Sequence, residues 1–166
     1  FGCCGPAIDL EIDWQIQKEL ILTPVTHLRE FLSGSWALTR TLEDHKSGET
    51  GRFEGQGAFT PLSEHTLLYT EEGKLQFGGY SDTVHRTYQY LFPDPQSPHI
   101  AQVRFEDGRA FHDLNLASGE HTAHHDCSPD IYEGQFQVQS QDIWQSRWII
   151  TGPHKDLCIT TNFKKA

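Results

Sequence analysis

Within the eight residues from His125 to Tyr132 the chain gathers an imidazole (His125), a thiol (Cys127), a carboxylate (Asp130) and a phenol (Tyr132), folded at Ser128-Pro129. Strands joined by so short a turn run antiparallel, so His125, Cys127 and Tyr132 are expected to converge at one end of the fold. A carboxylate beside a histidine favours its charged form, and such a histidine donates protons near neutral pH. The residues thus predict a site in which His112 and His125 transfer protons and Asp130 orients one of them. Arg86 or Tyr132 would stabilise an oxyanion. The same residue types admit a second chemistry: His112, His125, Cys127 and Asp130 are all metal-ligand types, and one histidine in a barrel mouth would suffice for haem. No pair of them has helical i, i+4 spacing and no C-x-x-C occurs, so neither metal nor cofactor is expected. G-x-S-x-G, P-loop and G-x-G-x-x-G motifs are absent too, which leaves serine hydrolase, NTPase and dinucleotide-dependent readings without support.

These residues need a frame. The chain has 166 residues, the size of one domain, and its 11% aromatic content is too high for a disordered polymer. It carries 23 acidic against 13 basic residues, a net charge of −10, which argues against nucleic acid as a partner. No apolar run approaches the ~18 residues of a membrane-spanning helix. Cys3 and Cys4 are adjacent while Cys127 and Cys158 are isolated, which is not the pattern of a disulfide scaffold. We therefore expect a reducing, cytoplasmic setting.

Residues 1–22 stand apart. Leu10, Ile12, Trp14 and Ile16 alternate with polar residues, which predicts a strand-like extension that docks on the domain or pairs between subunits of a homodimer. A single domain follows over 23–166. Thr23 suits a helix N-cap and Pro24 the first helical position, with Val25, Leu28 and Leu32 on one face and Gly34 as the stop. From there the pattern has period two, broken by turn residues. Strands are predicted at 35–42, 52–60, 66–77, 83–92, 100–105, 109–114, 121–127, 131–140, 143–151 and 157–163. About ten consecutive antiparallel strands with short links predict an all-β, closed or nearly closed up-and-down barrel with a short N-terminal helix, since closure removes exposed edges.

Alternation then assigns faces. Trp36, Leu38 and Arg40 point inward, as do Phe53, Gly55, Gly57 and Phe59; Tyr69, Glu71 and Gly73; Arg86, Tyr88 and Tyr90; Trp144, Ser146 and Trp148; and Thr161 and Phe163. Inward glycines leave space, so Gly55, Gly57, Trp36, Tyr88, Trp148 and Phe163 are expected to line one cavity. Arg86 is expected to be buried against Glu71. A two-residue turn at Asp107-Gly108 places Val103 opposite His112, which points that histidine inward.

A resemblance joins these observations. Phe31-Leu32-Ser33-Gly34-Ser35-Trp36, Gly51-Arg52-Phe53-Glu54-Gly55, Tyr69-Thr70-Glu71-Glu72-Gly73 and Phe105 through His112 occur in order. His125-x-Cys127-x-x-Asp130-x-Tyr132-x-Gly134 and Trp148 with Gly152-Pro153-x-Lys155-Asp156 complete the set. Over about 31–163 the chain resembles an uncharacterised family of small domains with a lipocalin-like barrel. The resemblance implies a fold and recurrent positions at Glu71, His112, His125, Cys127, Asp130, Tyr132 and Trp148, not an activity.

The expected function is binding of a small, largely apolar or aromatic molecule, with cofactor-independent acid–base chemistry (isomerisation, cyclisation or dehydration) as its catalytic form. Trp36, Arg40, Glu71, Tyr88, Cys127, Trp148 and Phe163 are the expected ligand contacts. Two other functions compete: a haem- or metal-binding barrel using His112 or His125, and a non-catalytic assembly module with a filled barrel.

Overall fold

The computed structural model describes residues 22–166. The extension expected over 1–22, and the pairing between subunits assigned to it, lie outside the described residues except for Leu22. Among the described residues one short helix, α1 (Leu28–Leu32), precedes ten strands: β1 (Gly34–Asp44), β2 (Thr50–Ser63), β3 (Thr66–Phe77), β4 (Tyr80–Leu91), β5 (Ile100–Phe105), β6 (Ala110–Asn115), β7 (Glu120–Cys127), β8 (Asp130–Ser140), β9 (Ile143–Thr151) and β10 (Asp156–Lys165). All ten form one sheet in the order β6-β5-β4-β3-β2-β1-β10-β9-β8-β7. Every pairing is antiparallel and joins sequence neighbours, except that β1 pairs with β10 and curls the sheet into a barrel. β6 and β7 are its two ends. Where they meet, the His121 imidazole Nε2 donates to the Asp113 carbonyl across 3.0 Å, so a side chain spans the seam. The expected all-β, nearly closed up-and-down barrel is the observed fold.

The helix begins later than Thr23-Pro24 predicted. The amides of Thr23 and Val25 donate instead to the carbonyls of Val138 and Leu116, both at 2.9 Å, so the segment lies extended across the barrel end until Leu28. Leu28, Phe31 and Leu32 then plug that end and are buried. Against them pack Trp36, whose indole donates to the Leu32 carbonyl at 2.8 Å, and Trp144 stacked on Phe163. Lys165 caps the helix end, donating to the Ser33 carbonyl at 2.6 Å while lying 4.5 Å from the Trp36 ring centre. This floor is dry and aromatic. Trp36 therefore belongs to the floor packing and does not line the cavity expected of it.

The hairpin of β5 and β6 keeps the predicted Val103–His112 pair, but the next pair is Arg104–Ala110. Phe111 is thus an extra residue on β6, a β-bulge. The cause is the turn: Gly108 adopts φ +88°, Gly108 donates back to Phe105, and Phe105 donates to Arg109, a three-residue loop in place of the expected two.

The inward glycines also act differently from expectation. A Cβ on Gly57 would lie 2.9 Å from the Tyr69 ring, and one on Gly134 would lie 2.7 Å from the Trp148 indole. Their missing side chains seat aromatic rings flat against the sheet rather than open space; neither Gly55 nor Gly57 lines the cavity.

Candidate functional site

Above the aromatic floor the barrel is hollow. A cavity of about 360 Å³, open to solvent, is enclosed by side chains from both halves of the sheet. Its walls are mostly aromatic: Tyr88, Phe105, Phe111, Phe136, Trp148 and Phe163. Phe111 stacks on Trp148 with ring centres 5.0 Å apart and planes within 17°. The β6 bulge makes this contact possible, because it turns Phe111 and its neighbour His112 to the same interior. From the sequence, Phe111 points inward only in place of His112, after a one-residue slip of the hairpin, since period-two alternation allows only one of two adjacent residues to face the interior.

One polar cluster sits in the wall. Arg40 on β1 donates through both terminal nitrogens to the Glu71 carboxylate on β3, at 2.8 and 2.9 Å, and its Nε donates to the Thr161 hydroxyl on β10 at 2.7 Å. The Tyr69 hydroxyl donates to Glu71 Oε2 at 2.5 Å. Burial alone would raise the Glu71 pKa, but the hydrogen bonds and charge of Arg40, helped by Arg86 and Tyr69, outweigh it and hold the carboxyl below its ordinary value. The same surroundings push the Tyr69 phenol far up, first through burial and then through the Glu71 charge, so it stays a neutral donor. Arg40 and Glu71, both expected ligand contacts, thus satisfy one another. Tyr69 and Thr161, absent from the expected set, complete their hydrogen bonding; the signal was their i, i±2 placement on the faces of β3 and β10.

Arg86 does not occupy the buried position expected of it. It stands opposite Glu71 across the β3–β4 ladder, yet its Nε is 3.8 Å from the carboxylate and its side chain is 46% exposed, against 4% for Glu71. Arg40 reached the carboxylate first because it extends over β2, where its guanidinium lies 4.6 Å from the Phe53 ring centre.

His112 lines the cavity between Phe136 and Trp148, with ring centres 5.3 and 5.2 Å away. Its Nδ1 lies 2.8 Å from the Asp113 carbonyl, which can only accept, so Nδ1 carries the proton and Nε2 keeps the lone pair. Burial lowers its pKa from 6.5 to about 4, against the opposing pull of the Asp113 carbonyl. At neutral pH His112 is therefore a base or hydrogen-bond acceptor.

The 125–132 segment is assembled only in part. Cys127 and Tyr132 reach the cavity, whereas His125 and Asp130 do not line it. His125, opposite Tyr132 in the ladder, stacks on it (5.9 Å, 9°) and meets Phe111 edge-on at 5.2 Å, so it shares the inner face with these rings without lining the cavity. Asp130 is the first residue of β8 rather than a turn residue, and its carboxylate pairs with Lys155 at 2.9 Å, not with a histidine. Cys127 is a free, exposed thiol. Among the described residues no three His, Cys, Asp or Glu side chains gather into a metal-holding cluster.

A ten-stranded antiparallel barrel with a plugged floor, a solvent-open aromatic cavity and an internal ion pair defines the class as a lipocalin-like barrel. Within that class, the chain belongs to a family of unknown function, DUF6314, which it matches over residues 32–165. No curated protein matches it in sequence. Among solved structures it is similar to the S-type phycobiliprotein lyase CPES from Guillardia theta, with 10% identity, a TM-score of 0.63, and coverage of 97% of this chain and 98% of that one. It also matches the redesigned β-barrel mFAP1 bound to DFHBI, with 16% identity, a TM-score of 0.45, and coverage of 84% and 99%. A de novo designed fluorescence-activating β-barrel matches at 14% identity and a TM-score of 0.45, covering 86% and 100%. At these identities the likeness is one of fold.

Proposed function

We propose that this protein binds a small, planar, largely apolar molecule inside the barrel. One observation carries the reading: the wall that could have been filled by side chains instead encloses about 360 Å³, lined by aromatic rings with a few polar groups. Ligand sites have that composition, apolar walls for affinity and sparse polar groups for orientation. A floor closed by Trp36, Trp144 and Phe163 and an open upper end suit a molecule that enters and leaves from solvent. Native mass spectrometry of the protein as purified tests this directly. The expected result is a bound organic molecule, released by denaturation. A protein that carries none, and whose cavity tryptophans respond to no planar apolar compound, sinks the proposal in favour of an assembly module. A Soret band would move it to haem.

A second reading, cofactor-independent acid–base chemistry, is favoured by His112. A neutral imidazole with Nδ1 anchored on a main-chain carbonyl has a fixed tautomer and a free basic nitrogen, the form a general base needs. Tyr132 and Cys127 on the same cavity would supply or receive the second proton. Incubating the recovered molecule with His112→Gln decides it: retained binding with lost conversion supports a base, and conversion by the variant at the wild-type rate removes the role.

A further inference from the structure

The charges on the cavity wall do not balance. Among the described residues lining it, Arg40, Glu71 and Arg86 are the charged ones, two cations against one anion. Arg40 is fully engaged, its Nε on Thr161 and its two terminal nitrogens on Glu71. Glu71 is engaged as well, with both oxygens on Arg40 and one also accepting from Tyr69. Arg86 faces the Tyr88 hydroxyl and approaches to 3.8 Å a carboxylate already paired with another guanidinium, with nearly half of its side chain in contact with solvent. Its guanidinium lies 5.8 Å from the Tyr88 ring centre, at the edge of the aromatic wall. A protein of net charge −10 thus presents an under-compensated arginine to an apolar cavity. Arginine presents paired N–H donors in a planar fork that fits a carboxylate, and such a contact strengthens as water is displaced.

We propose that the ligand is an aromatic carboxylate whose anionic group pairs with Arg86 while its ring lies against Phe111, Trp148 and Tyr88. This rests on the cavity-binding reading and narrows it to a ligand class. Glu71 has a defined part in it. Locked by Arg40, it leaves the charge of Arg86 largely uncancelled, so the wall as a whole stays positive toward an anion. His112 offers a neutral acceptor across the cavity, so a hydroxyl or amine donor elsewhere on the ring is accommodated and a second carboxylate is not.

A matched pair of probes tests the assignment: naphthalene-2-carboxylate and naphthalene-2-carboxamide, which share size and shape and differ in charge. Binding is read from quenching of the cavity tryptophans and from calorimetry, with wild type, Arg86→Gln and Arg86→Lys. The carboxylate is expected to bind wild type ~10-fold more tightly than the amide, the scale of one charge-assisted contact. Arg86→Gln should erase that preference by weakening the carboxylate about 10-fold more than the amide, and Arg86→Lys should restore part of it. Equal affinities in wild type, or parallel loss of both probes in Arg86→Gln, overturn the role of Arg86 and leave the cavity reading standing. Failure of both probes to bind wild type overturns the two together.

Discussion

Arg40 and Glu71 belong to strands that are not neighbours, β1 and β3, yet they meet in a two-pronged ion pair of 2.8 and 2.9 Å above the intervening strand. Arg40 makes that reach across β2 over the Phe53 ring, whose centre lies 4.6 Å from its guanidinium. The pair is nearly dry, with 8% and 4% of the two side chains exposed.

Removing one partner should therefore be costly. Glu71→Ala leaves Arg40 with Thr161 alone and is expected to cost about 3–5 kcal/mol in urea denaturation, the scale for stranding a buried charge. The double variant Arg40→Met with Glu71→Leu should recover most of it. A loss below about 1 kcal/mol for Glu71→Ala would show that water reaches the pair.

His112 makes stability depend on pH. Folded, it binds a proton only near and below pH 4; unfolded, it does so near 6.5. Between these values the unfolded state holds more protons, so the contribution is complete above pH 6.5 and lost as pH falls toward 4. With partial solvent contact allowed for, the change is on the order of 2–3 kcal/mol. His112→Phe should flatten stability across that window. NMR titration of the His112 ring with a midpoint near 6.5 would contradict the burial argument. The Glu71 contribution falls away in a more acid range, since its carboxyl is held below the ordinary 4.5.

Gly134→Ala adds a single methyl group, but it would press on the Trp148 indole from 2.7 Å. We expect a cost of about 1–3 kcal/mol, as for overpacking elsewhere. The near-UV circular dichroism should change, and binding of planar ligands should weaken. An unaltered spectrum with intact stability would mean that Trp148 does not rest on that glycine.

Asp130→Asn tests the rim. Its partner Lys155 is solvated once released, so the melting temperature should move by no more than about 2–3 °C, and probe binding should persist. Loss of binding would place Asp130 in the site despite its position outside the cavity wall.

The strand ladder was legible because half-buried strands repeat every two residues. The boundaries of β3, β5 and β9 coincide with those read from Thr66–Phe77, Ile100–Phe105 and Ile143–Thr151. Faces were legible for the same reason: Arg40, Glu71, Tyr88, Trp148 and Phe163 do look inward. Depth and reach were not. Alternation places Arg86 and Arg40 on one interior surface but cannot say which guanidinium extends to Glu71, because strand tilt and side-chain length decide that. Nor could it foresee that Gly57 seats Tyr69, a choice made by the ring's rotamer. Phe111 was hidden by a turn one residue longer than the commonest kind. The Asp130 contact was not legible because Lys155, whose ammonium takes its carboxylate, comes from the turn between β9 and β10 rather than from its own hairpin.

The seam between β6 and β7 has a kinetic consequence. Everywhere else, parting two strands would break a row of main-chain hydrogen bonds; among the described residues the strands here meet through the His121 imidazole on the Asp113 carbonyl and through ring contacts such as Phe111 with His125. Between β6 and β7 themselves the barrel can breathe mostly at the cost of side-chain contacts, while the Thr23 and Val25 amides tie Val138 and Leu116 together at one end of the line. Amide exchange along the facing edges of β6 and β7 should then outpace exchange in β1, β2 and β10, and a guest too broad for the upper opening would have a lateral door, framed by the same two strands that carry His112 and His125.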